Sequence, residues 1–305
     1  MADAPDQGTE PDPAPRAERH VDAPLAPPSP RSGLFDVFRR RYLLTMLVRR
    51  EISARYQGSV LGLLWSYLNP LSQLFIYWFV FGEIIGRGSV DKFAIHVFCG
   101  LIVVQFFVET FNAGTRSIVR NKALVQKMAV PREMFPVASM LVSLYHMGPQ
   151  IIILTVICLL TGWTPDPVGM LGFVLAIAII AILGTALALM FSVANVFLRD
   201  VSSFVSILTN FVRFSVPMIY PYTLVYDRFG SFAQFYLLNP IADAVLLVQQ
   251  AFWIGTTDDP AEYQATNIPD SLFAYSFLAL GVAVVLLVLA QAIFMRFENR
   301  IPERL

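Results

Sequence analysis

Arg49, Arg50, Glu51 and Arg55 crowd the stretch RREISARYQG, and an apolar run containing Asn69-Pro70 follows with almost no loop between. Ile52, Tyr56 and Val60 stand four apart, so they stack on one side of a helix, and Glu51 can pair with Arg55 one turn on. The pattern suits a helix lying in the membrane interface, its apolar edge in the acyl boundary and its arginines against anionic headgroups. Such arginines act as topology determinants in any case. The further role open to them is a surface that docks a partner or receives a substrate. The preceding RRRYLLTMLV separates its faces less cleanly, which places a break near Val48.

Chemistry of other kinds is missing. The chain has no G-x-x-x-x-G-K-[ST] phosphate loop, no G-x-S-x-G elbow and no H-E-x-x-H pair. No close carboxylate pair within an apolar stretch suggests general acid–base work. Cys99 and Cys158 sit inside apolar runs and read as small buried hydrophobes; His20, His96 and His146 are far apart and form no metal pattern. Uphill transport by such a chain would draw its energy from a partner.

A single charge stands out in apolar surroundings. Arg213 falls about ten residues into an apolar segment, near the bilayer midplane at about 1.5 Å per residue, where a charge is a functional candidate. Glu109 lies near the end of its own segment and reads as interfacial. Asn69-Pro70 reads as a supported kink or, alternatively, a broken helix lining a pathway. Trp65, Tyr67, Tyr77 and Trp78 cluster in one apolar run and Tyr220, Tyr222 and Tyr226 in another. Aromatic belts at the interfaces explain both clusters; so would a sugar path, since pyranose C–H faces stack on such rings.

The elements that hold these residues follow from composition. The chain has 305 residues, 56% hydrophobic and 14% charged, with a mean hydropathy of +0.61. Soluble domains carry about 25% charged residues. A bilayer core needs about 20 apolar residues per helix, and six stretches qualify: Val60 to Ile85, Phe93 to Ala113, Phe135 to Leu160, Met170 to Leu198, Phe204 to Tyr220 and Leu272 to Met295. The expected fold is an all-α polytopic membrane protein of six transmembrane helices over 59–296. An amphipathic interface helix over 34–58 precedes them, and a short tail, 297–305, follows. Residues 1–33, rich in Pro, Ala and Asp and without aromatics, are expected to be a disordered tail or a polyproline-type docking peptide.

With the N-terminus inside, cytoplasmic segments hold 18 of the 22 Lys and Arg residues, which predicts both termini in the cytoplasm. The basic loop 114–134 contains Asn121 to Met128, able to form a short helix with Leu124 and Met128 on one face and Lys122 and Lys127 elsewhere; Pro131 stops it. It is either an ordinary basic loop or a helix docking into a partner's groove. The outer segment 222–270 is apolar in its middle but interrupted by Asn239-Pro240 and Asp243. Two short helices hinged at Asn-Pro and dipping into the outer leaflet fit it, as a gate or as a passive hairpin.

Four stretches carry a resemblance: RREISARYQGSVLGLLWSYLNPL, LVQKMAVPREMFPVAS, NVFLRDVSSFVSIL with FSVPMIYP, and YLLNPIADAVLLVQQAFW. Jointly and in order they resemble the permease subunit of the polysaccharide-exporting ATP-binding-cassette transporters (O-antigen, teichoic acid, capsule or galactan exporters), over about residues 35 to 300. The resemblance implies a homodimer of six-span subunits in a bacterial plasma membrane, working with a separate ATP-binding-cassette ATPase subunit. ATP and Mg would reside on that ATPase and no cofactor on this chain; nucleic acid is no partner. The substrate implied is a glycan on a polyprenyl diphosphate lipid. It implies an amphipathic helix at Phe38 to Gln57 whose Arg49, Arg50 and Arg55 help receive the lipid head. It also implies ATPase coupling through Asn121 to Met128 followed by Pro131, Arg132 and Glu133, and external gate helices either side of Asn239-Pro240, with Asp243 in the second. Trp65, Tyr67 and Arg213 are then candidates for the translocation path. A type-2 permease for a drug or small lipid is the nearest alternative; an integral-membrane transferase would need a surface pocket of His, Asp or Glu that the chain does not offer.

Overall fold

A computed structural model describes residues 33–80, 92–127 and 130–305, and every regular element among them is helical. In chain order they are α1 (Leu34–Arg39), α2 (Arg41–Tyr56), α3 (Trp65–Tyr77), α4 (Phe93–Arg120), α5 (Lys122–Lys127), α6 (Met134–Leu160) and α7 (Pro167–Phe197). There follow α8 (Val201–Val212), α9 (Tyr222–Phe229), α10 (Ala233–Tyr236), α11 (Pro240–Val248), α12 (Pro260–Asn267), α13 (Leu272–Phe297) and α14 (Ile301–Arg304). Four of them, α4, α6, α7 and α13, are long and apolar enough to cross a membrane. They correspond to the second, third, fourth and sixth expected spans, with α4 continuing past Ala113 to Arg120.

The central helix is α7, which packs most extensively on α4 and α13. Its start is written locally: the Asp166 carboxylate accepts from the Gly169 N–H at 2.7 Å, and Pro167 fills the first helical position. Where α7 meets α4, small residues allow close backbone approach. A Cβ at Gly114 would overlap the Ala188 Cβ, and one at Gly184 would press on Thr110 Cγ2. Helices that cannot use the hydrophobic effect against lipid depend on such contacts. Gly114→Val is therefore expected to destabilise the protein by about 1–3 kcal/mol through overpacking. Thermal unfolding in detergent checks this, with Gly281→Val as the control, since nothing lies within 4 Å of a Cβ there.

A short helix is embedded among the long ones. Helix α11 contacts α7, α13 and α4, and Ile241 to Val248 are all buried. Asn239 caps it, its side-chain oxygen accepting from the Ile241 N–H at 3.1 Å, with Pro240 at the first position. The following turn is wider than an α-helix and is pinned by the Trp163 Nε1–H donating to the Ala251 carbonyl at 3.1 Å. Short helices on both sides of Asn239-Pro240 are thus found.

Several expectations are corrected. The fifth span does not exist as one helix: α8 ends at Val212 and, at about 1.5 Å per residue, runs only about 18 Å, too short to cross. Residues 213–221 are irregular. Their backbone is satisfied by side chains from elsewhere: Gln249 Nε2 donates to the Pro217 carbonyl at 2.8 Å and Asn239 Nδ2 to the Ser215 carbonyl at 3.2 Å. Irregular backbone among apolar helices is tolerable only with such partners. In the N-terminal region the break falls at Arg40 and α2 continues through Val48. Its buried positions are Leu44 and Leu47, not an Ile52–Tyr56–Val60 edge, because the helix stops at Tyr56 and Val60 is fully exposed. Of the two readings of Asn69-Pro70 only the broken helix is overturned, since α3 runs unbroken through a buried Pro70. The segment 297–305 is no loose tail: Ile301 is fully buried and α14 packs on α7. Residues 1–32, the end of the first expected span (81–85) and Met128 lie outside the described residues.

Candidate functional site

The basic ends of the helices are joined by a network that begins on α2. Glu51, the residue expected to pair with Arg55, instead accepts from Arg120 Nη2 at 2.6 Å and from Asn121 Nδ2 at 3.2 Å. Arg50 Nη1 donates to Asn121 Oδ1 at 3.4 Å. Asn121 itself is buried at the C-terminal cap of α4, its amide also donating to the Ser117 carbonyl at 3.0 Å. Arg55 forms an ion pair with Glu109, across to the middle of α4. Arg49 is exposed. Helix α2 is therefore held to the corner where α4 turns into α5 by Arg50, Glu51, Arg120 and Asn121.

Two cavities open beside this network. One, of about 210 Å³, lies between Arg55, Tyr56, Trp65, Asn69, Glu109 and His146. The other, of about 390 Å³, lies along Glu51, Arg55, Glu109, Arg120 and Ser143. Arg55 and Glu109 line both, so their ion pair stands between the two spaces. The inner wall is polar: the Tyr56 hydroxyl meets Ser66 Oγ and lies 3.1 Å from His146 Nδ1, while His146 Nε2 and Gln150 Oε1 have no partner among the described residues. Each arginine in these walls already has a carboxylate. An incoming anion would exchange with it rather than meet a bare cation.

The segment expected to contact a partner divides in two. Lys122 and Lys127 of α5 are exposed, Leu124 is half-buried and Val125 is buried. The apolar face of α5 is turned into the bundle, so what it presents outward is cationic. Pro131, Arg132 and Glu133 are buried and offer no outer surface. Arg132 donates to the Glu298 carbonyl and its guanidinium lies 3.8 Å from the Glu298 carboxylate. Glu133 accepts from Gln291 Nε2 at 3.0 Å. These residues clamp the start of α6 to the end of α13.

Burial, with Glu298 adding to it, pushes the Glu133 carboxyl above its usual range; Gln291 and Arg132 only partly oppose this. A carboxyl raised in the folded state contributes stability below its unfolded value that is lost as pH rises through the folded value. The melting temperature of the wild type relative to Glu133→Gln is expected to be higher at pH 5 than at pH 8. Melting curves of both proteins at the two pH values check it.

Other sequence candidates are dispersed. Trp65 lines the smaller cavity, whereas Tyr67 is half-buried against the core. Arg213, expected near mid-span, caps the C-terminal end of α8 and is exposed. Asp243, expected among the external gate residues, is fully buried in α11 with both carboxyl oxygens unpartnered among the described residues. Sequence reasoning underweighted Glu109 and did not single out Arg120 or His146. The only signal for Glu109 was its charge inside an apolar run.

Comparison with known proteins agrees with this architecture. The O-antigen export system permease protein RfbA of Klebsiella pneumoniae is 25% identical over 265 residues, 86% of this chain and 94% of that protein. RfbA of Myxococcus xanthus is 28% identical over 260 residues, 85% of this chain and 94% of its own length. The polysialic acid transport protein KpsM of Escherichia coli is 26% identical over 227 residues, covering 74% and 85%. The ABC-2 type transporter family matches residues 42–253, from the start of α2 to the wide turn after α11. The chain is a multi-pass membrane protein belonging to the ABC-2 type transporter family.

Proposed function

We propose that this chain is the permease subunit of an ATP-driven exporter that moves a polyprenyl-diphosphate-linked polysaccharide from the cytoplasmic to the outer face of a bacterial plasma membrane. The names of its relatives support a polysaccharide cargo. The observation that carries the mechanism is the tether between α2 and the α4–α5 corner, made by Arg50 and Glu51 with Arg120 and Asn121. It joins the helix whose Arg55 lines both cavities to the helix that presents Lys122 and Lys127. In this reading an ATPase subunit binds the cationic face of α5, and its ATP-driven closure tilts the α4–α5 corner. Because α2 is bonded to that corner, the motion reaches the site where a diphosphate head exchanges with Glu109 on Arg55. The glycan follows between two copies of the chain, and the irregular segment 213–221 with the re-entrant α10 and α11 yields on the outer side. Both termini are cytoplasmic. ATP and Mg²⁺ belong to the partner.

The test begins with purification of the tagged chain in mild detergent and mass spectrometry of its stoichiometric partners. The expected result is an ATP-binding-cassette ATPase at one copy per chain. Deletion of the gene is expected to leave lipid-linked polymer inside the cell and none at the surface. Recovery without an ATPase, or a normal surface polymer with failure to export a small amphiphile, would favour the alternative of a drug or small-lipid permease.

A further inference from the structure

At the end of the molecule opposite the arginines, a cavity of about 410 Å³ opens between α9, α10 and the turn from α12 into α13. Its size falls in the range of small-ligand sites, about 300–1,000 Å³. Tyr222 and Tyr226 stand four apart on α9 and so share a face; Gln234 comes from α10, Thr266 from α12, and Asp270 and Ser271 from the turn. The wall behind is braced. The Tyr222 and Tyr236 rings lie 6.2 Å apart, Tyr236 shares a hydrogen bond of 3.1 Å with Tyr220, and Thr223 Oγ1 donates to Asn267 Oδ1 at 3.5 Å. Burial pushes the Tyr222 phenol up, with Tyr226, Tyr275 and Asp243 adding to it, so its hydroxyl stays protonated.

The chemistry of the lining selects among ligands. No Lys or Arg lines the cavity and a carboxylate does, which argues against a phosphate group. Polar groups on three sides argue against a purely apolar guest, whose burial would strand them. What remains suited is a ring with an apolar C–H face and a rim of hydroxyls. Tyr226, largely exposed, offers a flat apolar surface with a polar tip. The Asp270 carboxylate can accept hydrogen bonds from two hydroxyls at once, Gln234 can both donate and accept, and Thr266 and Ser271 add hydroxyl oxygens.

We propose that this cavity is a carbohydrate subsite that holds a neutral pyranose unit of the emerging chain at the outer face. The assignment rests on the polysaccharide reading above and extends it, since nothing in the export mechanism requires a sugar site outside the path. A unit bound there would oppose backsliding of the polymer between ATPase cycles.

The experiment uses the full chain with its ATPase in nanodiscs and tetrasaccharides of mannose, galactose and rhamnose as probes, followed by saturation-transfer NMR. At least one probe is expected to bind, with Tyr226→Ala and Asp270→Asn each weakening it about three- to tenfold. Both residues are exposed, so folding should be unaffected, and Leu289→Ala, exposed on α13 and not part of the cavity lining, should leave binding unchanged. Absence of binding by all three probes, or binding insensitive to both substitutions, overturns the subsite. Surface polymer in the gene-deletion strain is scored separately. Loss of surface polymer on deletion together with no probe binding removes the subsite and leaves the exporter; normal surface polymer on deletion removes the exporter, and with it the subsite.

Discussion

Glu51→Lys will reduce polymer export by at least about tenfold while leaving the protein folded and bound to its ATPase. Glu51 is mostly buried and holds two donors, Arg120 and Asn121. A lysine there would place a cation against Arg120 and beside Arg50, in the one spot where α2 meets the α4–α5 corner. Like-charge contact of this kind costs about 1–3 kcal/mol, less than for a fully buried pair because half of the Arg120 side chain is exposed. A cost of about 1.4 kcal/mol is already tenfold in an equilibrium. The corner is expected to separate while the rest of α2 stays in place, because Leu44 and Leu47 anchor it independently in the core around Ile118 and Phe135. The measurement is surface polymer per cell alongside ATPase turnover. Hydrolysis should continue, since α5 keeps its outward lysines, so the ratio of export to ATP hydrolysed should fall. Charge exchange, Glu51→Arg with Arg120→Glu, should restore export to within about threefold; a coupling energy near zero between the two sites would remove the tether from the mechanism.

That prediction could not have been written from the sequence, and the reason is physical. Local spacing made the Glu51–Arg55 pair attractive because residues four apart on a helix are neighbours. The structure gives each a stronger partner from a distant helix: Glu109 for Arg55 and Arg120 for Glu51. Sequence spacing reports only contacts within a helix, and both tethers cross from α2 to α4. The long apolar helices were legible because a bilayer demands a simple pattern, and the helix start at Asn239-Pro240 was legible because cap and proline act locally. The fifth span failed for the opposite reason. Its apolar residues run past Val212, but the backbone there is satisfied by Gln249 and Asn239 from across the fold, so composition no longer implied a helix. Asp243 shows the same limit. A carboxylate in an apolar stretch reads as an interruption of a span and does not report its burial, whereas α11 carries it into the interior. Within the segment expected to couple to a partner, Lys122 and Lys127 face outward, while Arg132 and Glu133 clamp α6 to α13.

The Arg55–Glu109 pair sets the second large effect. Arg55→Ala is expected to cut export by more than about tenfold, and Arg55→Lys to recover only part of it, because a guanidinium can hold two phosphate oxygens at once and an ammonium cannot. Glu109→Gln should act in the other direction on binding. It keeps the shape of the site and removes the charge that an incoming diphosphate must displace, so the lipid-linked substrate should half-saturate export at a lower concentration, about three- to tenfold. The maximal rate should not rise with it. A head held too firmly leaves slowly, and returning Arg55 to Glu109 is one way for the site to release it. The pair stands between the two cavities, so its exchange would also decide when the smaller space, with Tyr56, Trp65 and His146, communicates with the larger one. The measurement is ATP-dependent export in proteoliposomes across a range of substrate concentrations. Half-saturation falling with an unchanged or reduced maximal rate supports ion exchange as the recognition step. A parallel loss in both parameters, matching that of Arg55→Ala, would mean instead that Glu109 serves to hold α2 on α4, and that the diphosphate is received elsewhere.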